Sequence, residues 1–350
     1  MKIAQIAPPW ITVPPAGYGG TEWVVKHLCD GLTAAGHEVH LFATGDSRTL
    51  AVLHALYPRQ LPEIMALPGA MSSYEARHVV DAAETIRADG GFDVVHDHSG
   101  FQLPAFARYL GLPPLLHTIH CAFDTHARPF YEQFAGAASF ATISDYQRSQ
   151  GPADLNWAGT VYNALPVDGW PFRIHKDGYL LAFGRVSEAK GFHLAIDIAR
   201  RSGRRLVMAG VVQEWYREYF RERVEPEIDG DQIVFEGEVT DERKRELFAG
   251  ADAFVFPILW PEPFGLVMVE AMASGTPVIA LRNGSVSEVV DDGVTGFVCD
   301  DVEEMLAAVD RLGEIDPYVC RRTVEERFSV AAMTAGYEAL YRGLVAGAVS

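Results

Sequence analysis

WPEPFGLVMVEAMASGTPVIA, residues 260–280, is the stretch from which the rest of the chain can be read. It follows an apolar run at 253–259 (AFVFPIL) whose length and bounding suit a buried parallel strand. Pro261 and Pro263 break that pattern, so the strand ends and a loop carries Glu262. From Phe264 the sequence turns helical, with Leu266, Met268, Val269, Met272 and Ala273 on a broad apolar surface. Gly275-Thr276-Pro277 closes the helix, and Val278-Ile279-Ala280 opens another strand. This strand, loop, helix order sets the first backbone N–H groups, those of Phe264, Gly265 and Leu266, at a sheet's carboxyl edge. Open α/β sheets bind their ligands at that edge, and helix N-termini favour anions.

Two carboxylates, Glu262 and Glu270, flank this helix start, one on the loop and one about two turns in. Taken alone, the spacing is common and reads as a solvated loop carboxylate beside a paired one on a helix face. The whole run, however, resembles the donor-sugar signature of the retaining glycosyltransferases of family four, the group 1 glycosyltransferases of GT-B fold. The resemblance implies that Glu262 meets the transferred sugar and that Glu270 holds the ribose. The amides of Phe264, Gly265 and Leu266 would then meet sugar and phosphate.

Outward from this stretch the chain alternates strands and helices twice, which argues for parallel sheets covered on both faces. The first series has strands at 2–7, 38–43, 93–96, 115–119 and 140–143, with helices at 21–35, 72–87 and 103–110. Residues 47–69 carry no pattern. Near Asn163 the register changes, and 166–178, with Pro166, Pro171 and two glycines, reads as an interdomain linker. The second series has strands at 179–183, 206–209 and 233–235, with helices at 193–201, 215–223 and 242–248, and then the quoted stretch. The tail, 328–349, places Val330, Met333, Tyr337, Leu340, Tyr341 and Leu344 at helical spacing. The fold class is therefore α/β. The resemblance implies two Rossmann-like domains facing across a cleft: an acceptor-side domain over 1–165 and a donor-side domain over 179–327. It also implies that helix 328–350 crosses back to complete the first.

Gly17-Tyr18-Gly19-Gly20-Thr21 lies between the first strand and its helix, where glycines permit close backbone approach to a phosphate or hydroxyl. A dinucleotide fingerprint needs glycine at 22, where Glu22 stands, and this weakens a dehydrogenase reading. The loop resembles the family's Gly-Gly loop, which puts Gly19 and Gly20 at the donor diphosphate and acceptor. Phe183 to Gly191, FGRVSEAKG, is a second family signature, with Arg185 and Lys190 on a strand-to-helix loop. The resemblance implies that both neutralise the leaving nucleoside diphosphate, Arg185 as a planar fork and Lys190 as a point charge. In that family such cations usually stand in for a metal. Asp229-Gly230-Asp231 sits in a polar turn away from these signatures and reads as a solvated loop rather than a metal site.

His96, His98, His117 and His120 crowd two consecutive strand ends (VVHDHS and LLHTIHC). Composition alone admits zinc, but alternating strand positions argue against four ligands meeting, and the reading here is no metal. His120 matches the family histidine placed against the transferred sugar; the other three read as structural or acceptor-side residues. Gly237 to Asp241 resembles the stretch lining the base pocket, which nominates the Val239 backbone and the Lys244 side chain. Asn283 to Glu288 resembles a loop that usually reads Gly-Gly-x-Pro-Glu, with departures at Asn283 and Val286.

At 350 residues, 49% hydrophobic and 22% charged, the chain is globular and long enough for two cores. With 29 Lys and Arg against 47 Asp and Glu its net charge is −18, which disfavours nucleic acid or an anionic membrane as main partner. Cys29, Cys121, Cys299 and Cys320 are scattered, as structural thiols of a reducing compartment would be. MKIAQIAPPW is too short in its apolar run for a signal segment, and no run of eighteen apolar residues exists. The expected location is cytoplasmic.

The function these readings imply is retaining transfer of a hexosyl group from a UDP- or GDP-linked sugar to an acceptor hydroxyl, without a metal or cofactor. A GT-B epimerase or phosphorylase shares the scaffold, and a non-catalytic nucleotide-sugar-binding protein is the non-enzymatic alternative. Intact Arg185, Lys190, Glu262 and Glu270 argue against the last.

Overall fold

A computed structural model describes residues 1–17 and 19–348, which divide into two compact units, one of 1–164 with the chain from Val330 on, and the other Leu165–Ser329. The first unit is built on strands β1 (Lys2–Ile6), β2 (Glu38–Phe42), β3 (Val52–His54), β4 (Val94–Asp97), β5 (Leu115–Ile119), β6 (Ser139–Thr142) and β7 (Trp157–Thr160). They pair in parallel in the order β3-β2-β1-β4-β5-β6-β7. Ile3, Ile6, Val94, Val95 and Leu116 are fully buried, as expected where helices cover both faces of a parallel sheet. Helix Gly20–Ala34 buries Val24, Val25, Leu28, Cys29 and Leu32, one stripe at helical period. The C-terminal helix Val330–Ala348 turns Met333, Tyr337 and Tyr341 into this same unit, both tyrosines at 0% exposure. Val349 and Ser350, at the end of the expected tail helix, lie outside the described residues, as does Tyr18 of the glycine loop.

The second unit repeats the architecture with β8 (Tyr179–Phe183), β9 (Arg205–Ala209), β10 (Ile233–Phe235), β11 (Ala253–Phe256), β12 (Val278–Leu281) and β13 (Gly296–Cys299). Their order, β10-β9-β8-β11-β12-β13, reverses direction between β8 and β11, as the first sheet does between β1 and β4. Residues 166–178, which read as a linker, pack on this second unit. Val167 and Trp170 are buried, and Arg321 Nη1 donates to the carbonyls of Trp170 and Ala273 at 2.9 and 2.8 Å. Lys176 Nζ donates to Ala249 O, Ser274 O and Thr276 Oγ1. Every one of those anchors is distant in sequence, so no local pattern could have announced them.

Element ends differ in instructive places. The expected strand at 253–259 stops at Phe256, because Pro257 has no N–H for the ladder and Ile258 N turns back to Phe256 O at 2.8 Å. The helix expected from Phe264 starts at Leu266, since Gly265 at φ 79° is its left-handed N-cap. The helix expected at 215–223 is a 3-10 turn, Glu214–Tyr216, followed by a short α-helix, Arg217–Arg223.

Candidate functional site

In each sheet the strands on either side of the reversal send their following loops apart, which opens a crevice at the carboxyl edge. The sequence signatures sit at these switch points. The glycine loop follows β1, and the histidines lie within β4 and β5 (His96, His117) or just after them (His98, His120); Arg185 and Lys190 follow β8, and Glu262 follows β11.

In the second unit the loop after β8 runs through Arg185 into a 3-10 turn, Glu188–Lys190, closed by Gly191 at φ 70°. A Cβ at Gly191 would lie 2.0 Å from Pro257 O, so glycine alone lets the β8 and β11 loops touch. Leu259 N donates to Ala189 O at 2.8 Å and stitches the same two loops. Their contact places the Lys190 ammonium directly on Glu262 Oε2. Trp260 Nε1–H donates to that same oxygen at 2.8 Å, and Lys190 lies 5.3 and 5.5 Å from the ring centroids of Phe256 and Trp260. Glu262 is 9% exposed. Its backbone is clasped by the 283–288 loop, where Ser285 N donates to Glu262 O at 2.9 Å. A Cβ at Gly284 would come within 2.3 Å of Glu262 N and O. The departure at Val286 is absorbed by burying it in a short helix, Val286–Val289.

The second carboxylate has a lysine of its own. Lys244 Nζ lies 2.9 Å from Glu270 Oε1 and 3.2 Å from Asp241 Oδ1, over the Trp170 ring. Burial pulls this ammonium down, but the charges of Glu270 and Asp241 outweigh it and leave its pKa raised. Arg185 sits 5.5 Å over the Tyr216 ring, and its Nε is buried with no hydrogen-bond partner among the described residues. Val239 is half-buried on the loop after β10, one residue before Thr240, whose hydroxyl caps helix Asp241–Gly250. Gly265 and Leu266 stand at the first turn of helix Leu266–Ala273, where no i−4 carbonyl exists for their amides. Asp229 serves its own turn, accepting from Asp231 N and Ile233 N and meeting Arg200 at 2.7 Å.

In the first unit Gly20 opens helix Gly20–Ala34, and a Cβ at Gly19 would meet Pro15 at 2.8 Å and Glu22 at 2.9 Å. Glu22 is buried, and burial raises its carboxyl pKa to about 7. His120 follows β5 directly and is half-buried; burial, with a smaller contribution from the charge of His117, lowers its pKa to about 3.

Three of the four histidines, His96, His98 and His120, come together, and His117 turns to another partner. Positions i and i+2 of a strand share a face, so His96 and His98 turn the same way, ring centroids 3.9 Å apart. His98 Nδ1 then meets His120 Nε2 at 2.9 Å. His117 joins a different pair, with Nδ1 2.6 Å from Asp97 Oδ2. Both nitrogens of His96 and of His98 are engaged by protein groups: Tyr341 and Thr118 for the first, His120 and Gln5 for the second.

Sequence reading passed over Trp260, Gln5, Tyr337 and Tyr341. Trp260 lies inside the quoted motif, two residues before Glu262, and its N–H donor was a usable signal. No local signal links Gln5 to Tyr341, which are 336 residues apart.

Residues 171–325 match the family described as glycosyl transferases group 1, and residues 18–150 match Glycosyltransferase Family 4. A phosphatidyl-myo-inositol mannosyltransferase of Mycolicibacterium smegmatis is 27% identical over 347 residues, spanning 88% of this chain and 84% of that one. The crystal structure of AviGT4, a glycosyltransferase involved in avilamycin A biosynthesis, is 28% identical. It superposes with a TM-score of 0.72 over 99% of this chain and 98% of that one. An Anabaena HepE structure in complex with UDP-glucose shares the fold at 18% identity and a TM-score of 0.71, covering 99% and 100% of the two chains.

Proposed function

The chain belongs to the group 1 glycosyltransferases, of GT-B fold, and on that premise we propose that it moves a sugar from a UDP- or GDP-linked donor to an acceptor hydroxyl. In this reading the reaction retains the anomeric configuration and draws its positive charge from side chains. The observation that carries it is the pair of lysine-carboxylate contacts, Lys190 with Glu262 and Lys244 with Glu270, at one carboxyl edge. Each joins a cation suited to phosphate with a carboxylate suited to sugar or ribose hydroxyls. A donor diphosphate competes for Lys190 and thereby frees Glu262 for the hydroxyls of the transferred sugar. Arg185, with an unused buried Nε, adds a second cation on the same loop. Gly19 and Gly20 face the diphosphate and acceptor, and the amides of Gly265 and Leu266 take phosphate oxygens. Val239 lines the base, and His120 lies against the sugar.

Trp260 Nε1–H stays on Glu262 Oε2 when a diphosphate takes Lys190, and a carboxylate oxygen held by an N–H donor is a weaker nucleophile. That supports front-face substitution, in which the acceptor enters on the side the diphosphate leaves, over a double displacement through a glycosyl-enzyme. The demand on the protein is then electrostatic, falling on the leaving group and on the oxocarbenium-like sugar. A thermal-shift screen of nucleoside-diphosphate sugars identifies the donor, since ligand at a hundred times its Kd adds about 2.7 kcal/mol. The product anomer is then read by NMR, with and without EDTA. Retention and full activity in EDTA are expected; an inverted product, or activity lost to EDTA and restored by a divalent cation, rejects the mechanism.

A further inference from the structure

A buried chain of hydrogen bonds runs from His120 to the C-terminal helix, and the chemistry of its members sets its direction. Gln5, in the middle of β1, is fully buried and uses both ends of its amide. Its Nε2 donates to the Tyr341 hydroxyl oxygen at 2.9 Å, and its Oε1 faces His98 Nε2 at 2.8 Å. A carbonyl oxygen only accepts, so His98 carries its proton on Nε2. A neutral imidazole has a single N–H, which makes His98 Nδ1 an acceptor. The group facing it at 2.9 Å, His120 Nε2, must therefore donate. His120 is left with its basic lone pair on Nδ1.

At the other end Tyr341, having accepted from Gln5, gives its own proton to His96 Nδ1 at 2.6 Å. His96 Nε2 then donates to Thr118 Oγ1 at 2.7 Å, and Thr118 meets the Tyr337 hydroxyl at 3.1 Å. Neutrality of the rings, on which the reasoning depends, follows from their surroundings. Burial lowers His96 and His98 well below the usual imidazole range, and neighbouring histidine charges push the same way.

We propose that Gln5 and Tyr341 are positioning residues for His120, acting through His98 to fix the nitrogen on which His120 carries its proton. Nδ1 of His120 then acts as the acceptor for a hydroxyl of the transferred sugar, a role that rests on the functional reading above. The other tautomer would present an N–H to a hydroxyl that is to donate its O–H there, and the right geometry with the wrong proton is a known way to lose turnover. The relay also explains why the chain returns its C-terminal helix to the first unit with two tyrosines facing inward. Their hydroxyls terminate a polar path that would otherwise end unpaired in the core.

The test is long-range 1H–15N correlation of the histidine rings in the full-length 15N-labelled protein, with His120 assigned by its loss in His120→Asn. Wild type is expected to show His120 protonated on Nε2. Gln5→Met, which keeps volume and removes both polar ends, and Tyr341→Phe, which keeps the ring, are each expected to give a mixture of tautomers. Turnover should fall roughly 10- to 100-fold in each, with donor KM within about twofold. A wild-type proton on Nδ1, or a single unchanged tautomer in both variants, overturns the relay even if activity falls. A tautomer shift with unchanged turnover upholds the relay and removes His120 from the sugar, so the two readings fail separately.

Discussion

The indole N–H of Trp260 donates to Glu262 Oε2 at 2.8 Å, on the same oxygen that receives the Lys190 ammonium. Trp260 thus holds the carboxylate in place and stacks beside the cation that neutralises it. Trp260→Phe keeps an aromatic face for Lys190 and removes only the hydrogen bond. A hydrogen bond to a charged group contributes about 1.5–3 kcal/mol, so turnover should drop roughly tenfold to a hundredfold if Glu262 acts on the sugar. Affinity for the free nucleoside diphosphate should hold. Steady-state kinetics and calorimetry on one variant decide it, and unchanged turnover counts against a role for this contact.

Glu270 and Glu262 should separate by ligand. Glu270→Gln is expected to weaken both the nucleoside diphosphate and the nucleotide sugar, and Glu262→Gln to spare the first and impair the sugar-dependent step. Glu270→Gln also strips Lys244 of one of its two acidic partners in a largely buried position. That should lower stability by about 1–3 kcal/mol, visible in urea unfolding. Equal loss of nucleoside diphosphate affinity in the two variants contradicts the division.

Lys190 and Arg185 are expected to act on the leaving group. Breaking the glycosidic bond adds negative charge to the departing phosphate, so a cation held there stabilises the transition state more than the bound donor. Lys190→Ala and Arg185→Ala should each lower kcat by about a hundred- to a thousand-fold, with a much smaller rise in donor KM. Near-normal turnover in the double variant returns both to ordinary surface cations.

Glu75 carries a pH dependence. Buried on helix Pro68–Asp89, it accepts a hydrogen bond from Gly100 N, and burial raises its pKa from 4.5 to about 7. The native state therefore holds its proton more tightly than the unfolded chain. Its contribution is fully present below about pH 4.5 and is lost as pH rises toward 7. Glu75→Gln, which keeps the acceptor and cannot ionise, should flatten this fall and make the variant the more stable protein at pH 8. A shift of this size corresponds to a difference on the order of 3 kcal/mol. Denaturation midpoints at pH 5 and pH 8 measure it, and parallel pH curves for the two proteins would show that Glu75 ionises without cost.

Legibility was highest inside the sheets. Strands β5 and β8 have the bounds their runs indicate, because each is flanked by strands on both sides and buried along most of its length. The strands that escaped notice are β3, β7 and β13, all at sheet edges. β3 and β7 are exposed or half-buried along their length, and β7 carries Gly159 in its middle. Such a strand can mix polar and small residues at little cost, which removes the pattern that would identify it.

Within the site, the chemical character of single side chains was readable from the chain: acids at Glu262 and Glu270, cations at Arg185 and Lys190, and glycines in the loop after β1. The charge of a side chain and its place along the chain follow from sequence alone. Who partners whom was decided by tertiary structure. Lys190 reaches Glu262 across 72 residues because Gly191 lets two loops touch, and Gln5 reaches Tyr341 across 336 because a terminal helix returns to the first sheet. A hydrogen bond or ion pair exists only within a few ångströms, and those distances follow from packing that no local pattern encodes.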